Sequence, residues 1–105
     1  MTRTATSLLL LALCAGVAGC ADLEARRLYR DGTSAIDRGE PQRAIADLQQ
    51  AAALAPEISQ IQNHLGIAYE DAGRNDDALL AYERAVALDC ALRGNRSRYC
   101  LALVS

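Results

Sequence analysis

Residues 32–54, GTSAIDRGEPQRAIADLQQAAAL, and residues 66–88, GIAYEDAGRNDDALLAYERAVAL, decide the fold. Laid over one another at an offset of 34 residues, they superimpose Gly32 on Gly66, Gly39 on Gly73, Ala44 on Ala78, Ala51 on Ala85 and Leu54 on Leu88, while Ile45 meets Leu79 and Leu48 meets Tyr82. Self-similarity at one fixed period marks a repeat architecture. Inside each copy the apolar positions follow a helical period: Leu28, Gly32, Ala35 and Ile36 share one stripe, Ala44, Ile45, Leu48 and Ala51 another, with Arg and Asp between them. Gly39 and Gly73 stand where a helix ends in a left-handed residue, Pro41 suits a first helical turn, Pro56 ends the second helix, and Asp76 is placed to cap the fourth. The pattern predicts an all-α chain with helices over residues 23–38, 41–54, 58–72 and 76–88.

Working outward, the chain of 105 residues has room for one small domain and excludes a two-lobed enzyme with an interdomain cleft. Its formal net charge is −2, which gives no reason to invoke nucleic acid. The side chains also lack a catalytic or metal-binding constellation. His64 is the only His, and no Cys-x-x-Cys, paired His, glycine-rich phosphate loop or nucleophile elbow occurs. We therefore expect no enzyme activity, metal or cofactor. Asp76 and Asp77 at a helix start suit the helix dipole, and Arg93, Arg96 and Arg98 form a solvated basic patch.

The amino terminus reads as an address. Arg3 is followed by a nearly unbroken apolar run from Ser7 to Gly19. These are the n-region and h-region of a secretory signal, and about 13 apolar residues fall short of the roughly 20 that span a bilayer. The run closes on Val17-Ala18-Gly19-Cys20. This resembles the lipobox of bacterial lipoproteins. The resemblance implies removal of residues 1–19, acylation of Cys20 and a short tether over residues 20–24, so that the membrane is reached through lipid. Ala21, not Asp, follows the Cys, which by the same resemblance favours the periplasmic face of the outer membrane over the inner membrane.

The body of the chain resembles two tandem tetratricopeptide repeats, residues 25–58 and 59–92, on the small residues Gly32 and Gly66, Ala44 and Ala78, and Ala51 and Ala85, the larger Leu48 and Tyr82, and Pro56. The implied fold is a right-handed α-solenoid in which those small residues let the two helices of a repeat approach closely. Leu28 and Gln62 replace the usual Trp, Asp31 stands where Leu is usual, and Cys90 replaces the Pro of the second repeat, so the first repeat departs most. The resemblance also implies a concave groove for a protein or peptide partner, lined by Arg26, Tyr29, Thr33, Ile36 and Asp37 from the first repeat and Gln60, Asn63, Ile67, Glu70 and Asp71 from the second. Tyr29 and Thr33 stand where carboxylate-clamp repeats carry a basic residue and Asn, which disfavours an acidic C-terminal tail as ligand. The implied function is a membrane-anchored adaptor for envelope assembly or cell-wall enzymes, and the alternative is a self-assembling homo-oligomer without a separate client.

Two repeats need a cover, and residues 93–105 are expected to form a C-terminal cap, with Gly94 and Asn95 breaking the preceding helix and a short helix from Ser97 to Val104. With Cys14 in the leader and Cys20 lipidated, Cys90 and Cys100 remain as a disulfide candidate in an oxidising compartment. One straight helix would hold their Cα atoms about 15 Å apart, so the bond requires the reversal that Gly94 and Asn95 allow. The competing reading is two buried free thiols.

Overall fold

The structure, a computed structural model, describes the backbone of residues 2–94 and Cys100, and the side chains of that set from Gly19 onward except Arg93. The described residues form four helices: α1 (Thr2–Asp37), α2 (Pro41–Leu54), α3 (Ser59–Asp71) and α4 (Asn75–Arg93). Successive helices pack as antiparallel pairs, α1 with α2 and α3 with α4, and the two pairs stack through α2 and α3. This is the all-helical tandem arrangement that the 34-residue register predicts.

Two boundaries differ from the sequence expectation by more than one residue. Helix α1 begins at Thr2, not Leu23, and runs unbroken through the segments read as leader and tether. Ala, Leu and Glu around Cys20 are good helix formers, and Asp22 sits one turn before Arg26, 3.2 Å away, so nothing local stops the helix there. Helix α4 continues past Leu88 to Arg93, because its stop is Gly94, with a left-handed φ of 56°. The capping helix expected over Ser97 to Val104 lies outside the described residues except for Cys100.

The turns inside each repeat are built alike. Gly39 adopts φ 71° and Gly73 φ 76°. At the first, Gly39 N–H donates to the Ile36 carbonyl and Glu40 N–H to the Ala35 carbonyl, at 3.0 and 2.9 Å. At the second, Gly73 N–H donates to Glu70 and Arg74 N–H to Tyr69, at 2.9 and 2.8 Å. Both are Schellman turns, which satisfy carbonyls at a helix end and reverse the chain within two residues. Asp76 consequently does not cap α4. The residue that closes the Schellman turn, Arg74, is already the N-cap, and Asp76 falls inside the first turn. Arg74 instead donates from Nε to Asp77 Oδ2 at 2.8 Å.

The core is made mostly of alanine: Ala25, Ala35, Ala44, Ala51, Ala55, Ala68 and Ala81 are buried, and Leu48 and Ile61 are the largest side chains with almost no exposure. So little side-chain bulk means the helix axes lie close together. Gly32 shows the limit, since a Cβ there would sit 2.6 Å from Leu48 Cγ. At Gly66 the added carbon would meet the face of the Tyr82 ring, 2.6 Å from Cδ1. Each repeat therefore has one glycine on its first helix under one large side chain of its second.

Cys90 and Cys100 are joined by a disulfide with Cα atoms 5.4 Å apart, and both residues are buried. The bond ties the chain beyond Gly94 back to α4. Closing a loop of this length is worth about 2–3 kcal/mol in chain entropy, so Cys90→Ser with Cys100→Ser is expected to lower the unfolding free energy by that amount in urea titrations. Gly66→Ala is expected to cost about 1–3 kcal/mol by overpacking against the Tyr82 ring. Gly66→Ala combined with Tyr82→Ala should be less destabilised than the sum of the two single variants, and strict additivity would disprove the close approach as the cause.

Candidate functional site

The groove lies where α1 and α3, the first helices of the two repeats, run side by side. A cleft of about 310 Å³ opens at their junction, lined by Asp22, Ala25, Arg26 and Tyr29 of α1 and by Ile58, Gln60 and Ile61 at the start of α3. Ala25 and Ile61 are buried and form its floor, while Asp22, Arg26 and Gln60 are exposed at its rim. Asp22 and Arg26 pair with each other, so the rim offers a neutralised ion pair beside an amide.

Tyr29 is fixed from the opposite helix. Its ring meets the His64 imidazole edge to face, with centroids 5.3 Å apart and planes at 89°. His64 Nδ1 lies 2.8 Å from the Gln60 carbonyl and 3.3 Å from Tyr29 Oη. A carbonyl can only accept, so Nδ1 carries the hydrogen that is donated to Gln60. The lone histidine, read from sequence as a packed or groove residue, thus holds the aromatic wall of the cleft.

Of the ten groove positions read from the sequence, the cleft brings together Arg26, Tyr29 and Gln60. Asn63 faces a second, shallower cleft toward α4, shared with Val86 and Asp89. Thr33 turns its hydroxyl onto its own helix, donating to the Arg30 carbonyl at 2.9 Å. Ile36 packs against the core cluster, Ile67 is half-buried, and Asp37 and Asp71 are exposed. Glu70 accepts a 2.8 Å hydrogen bond from Tyr82 Oη. Sequence reasoning missed Asp22, Ala25, Ile58 and Ile61. Ile58 follows the helix-ending Pro56, and that turn is the signal that the connection between repeats would reach the groove. Among the described residues, no group of three or more His, Cys, Asp or Glu is placed to hold a metal ion.

Comparison with known proteins adds the family. The tetratricopeptide repeat family matches residues 29–91, more than half of the chain. The chain belongs to the tetratricopeptide repeat family. Over 63 residues it is 38% identical to the cellulose synthase operon protein C of Escherichia coli strain K12, a span of 60% of this chain and 5% of that protein. The protein of that description from Escherichia coli O157:H7 matches at 38% over 63 residues, 6% of its length. The chain therefore corresponds to a small part of these relatives. No solved structure matches. Tetratricopeptide repeats generally bind protein partners.

Tyr82 links that groove to the core, because its ring covers Gly66 and its hydroxyl reaches Glu70. Burial, followed by the hydrogen bond to Glu70 and the negative charges of Glu70 and Asp71, pushes its phenol up to about 12. A folded-state value above the unfolded one, near 10, means the contribution is complete below about pH 10 and is lost as pH rises toward about 12. Urea unfolding is thus expected to show stability falling across that window. Tyr82→Phe, which keeps the ring over Gly66, should flatten the fall, and an unchanged slope would show that another group is responsible.

Proposed function

We propose that the chain is a lipid-anchored adaptor of the bacterial envelope that holds a protein partner in the groove between α1 and α3. The observation that carries the reading is the cleft at the start of that groove, with its floor of Ala25 and Ile61 and an aromatic wall fixed by His64. Its volume suits one apolar side chain of a partner, and its rim of Asp22, Arg26 and Gln60 supplies both donors and acceptors to the flanking backbone.

The anchor in this reading is Cys20. Its thiol is free and exposed on α1, at the end of the aliphatic and small residues Val17, Ala18 and Gly19. None of the helices among the described residues is long and apolar enough to cross a membrane. Two or more acyl chains, each contributing about 0.8 kcal/mol per buried CH₂, hold a protein stably on a bilayer. The outer membrane is the favoured site because Ala21 follows the Cys. The partners we favour are components of envelope assembly machines or cell-wall enzymes. The description of the relatives, protein C of a cellulose synthase operon, adds a polysaccharide-producing assembly as a further candidate setting.

Two experiments test the two halves of the reading. Cys20→Ser should abolish acylation and release the protein from the membrane fraction. If the protein stays there with an uncleaved leader, the helix itself is the anchor. For the groove, crosslinking capture from membranes is compared between wild type and an Arg26→Ala, Tyr29→Ala variant, both substitutions lying in the α1 wall of the cleft. Partner recovery should fall about tenfold or more, in line with loss of an aromatic anchor and its neighbour, and undiminished recovery would remove the groove from the mechanism.

A further inference from the structure

The two repeats differ in how their second helices end up covered. In α2, Leu48 faces α1, where it meets Gly32, and Gln49 faces α3, donating to Tyr69 Oη at 2.8 Å. Ile45 lies one turn before Gln49 on the same stripe, and it is 5% exposed, inside the core cluster that includes Ile61, Leu65 and Ala68 of α3. In α4, Tyr82 faces back onto Gly66 of α3, so the stripe equivalent to Ile45, Gln49 and Ala52 points away from the repeats. That stripe is Leu79, Glu83 and Val86, and here Leu79 is 59% and Val86 43% exposed. Beside it, the cleft between α3 and α4 is lined by Asn63, Ala85, Val86 and Asp89. Cys90 extends the stripe to the end of α4, where the disulfide to Cys100 closes it off. The open part spans about two helical turns.

We infer that the stripe Leu79, Glu83 and Val86 docks an amphipathic helix of a partner protein, seated as α3 sits on α2, with an arginine or lysine of that helix against Glu83. The apolar part of the argument is continuity with the α2–α3 interface, whose stripe this one repeats at the same register. The charged part comes from the one polar exchange within it. Gln49 donates to Tyr69, but a carboxylate at Glu83 only accepts, so the occupant brings a donor to that point, and a cation meets the charge as well. A second copy of this chain fits poorly in either orientation. Antiparallel pairing of α4 with its copy would oppose Glu83 to Glu83. Head-to-tail stacking would bring Arg27, Asp31 and Ser34, the α1 equivalents of Ile61, Leu65 and Ala68, onto Leu79 and Val86, and Arg27 is engaged by Glu24 and Asp31 at 3.7 Å.

This surface is separate from the α1–α3 groove, and so is its test. The probes are two helix-stapled peptides with the sequence of residues 59–71, one carrying Tyr69→Arg and the other Tyr69→Glu, titrated against the full chain. The Arg probe should bind about tenfold more tightly than the Glu probe, and Glu83→Arg should reverse that order. Leu79→Asp, at an exposed position that folding does not need, should weaken the Arg probe about tenfold. Equal binding of the two probes, or binding indifferent to Leu79→Asp, would overturn the proposal. So would a dimer in sedimentation that Leu79→Asp dissolves, which assigns the edge to a second copy. The proposal also fails if removal of residues 101–105 tightens the Arg probe about tenfold, since the chain's own tail would then be the occupant.

Discussion

The close approach of paired helices at Gly32 and Gly66 is the constraint on which the rest of the molecule depends. Wherever a glycine on the first helix lies under Leu48 or Tyr82 on the second, any larger residue collides, so the distance between helices is set by an absent side chain. Tight pairing is what makes a core built mainly of alanine sufficient, because methyl groups reach one another across a short gap. It also fixes the groove. With α1 clamped to α2 and α3 to α4, stacking of the pairs sets α1 beside α3, and Tyr29 comes within reach of His64. The geometry of the cleft is thus a consequence of helix pairing at two glycines.

Much of this was legible in the sequence, and the parts that were not have physical reasons. Helix α2 has the expected limits because Pro41 and Pro56 bracket it, and proline acts on backbone geometry alone. The register of the repeat was legible for a similar reason, since glycine at 32, 39, 66 and 73 is demanded by space or by φ rather than by preference. Asp76 failed as a cap because local propensity was read without the turn before it. In a Schellman turn followed at once by a helix, one residue serves both ends, and Arg74 takes that position. The start of α1 was misplaced because no breaker separates the apolar leader from the first repeat, and helix formers on both sides let one helix absorb both.

The groove was only half legible, and the reason is rotational. Spacing along a helix shows which residues share a face, but a cleft draws on the neighbouring helix and on the turn into it. Ile58 enters the cleft from the connection between repeats and Ile61 from the first turn of α3, whereas Thr33 is withdrawn by a hydrogen bond to its own helix. Glu70 was read as a groove position, and its carboxylate accepts a hydrogen bond from Tyr82 of α4. The exposed ion pairs on α1, such as Asp22 with Arg26, contribute little to stability individually, so their weight lies in shaping the rim.

The two ends of the stack are chemically unequal, and the inequality follows from where each helix lies in the repeat. A first helix carries the stripe that covers the preceding pair. In α3 that stripe is Ile61, Leu65 and Ala68, flanked by His64 reaching α1 and Tyr69 reaching α2. In α1 the same positions are Arg27, Asp31 and Ser34, charged or hydroxylated, with Arg27 and Asp31 paired along their own helix. That face is finished with respect to water. A second helix carries the complementary stripe, and α4 keeps it apolar at Leu79 and Val86, where α2 has Ile45 and Ala52. Among the described residues, therefore, the free face of α1 is polar where that of α4 is apolar, so the two edges of the stack differ in the chemistry they present.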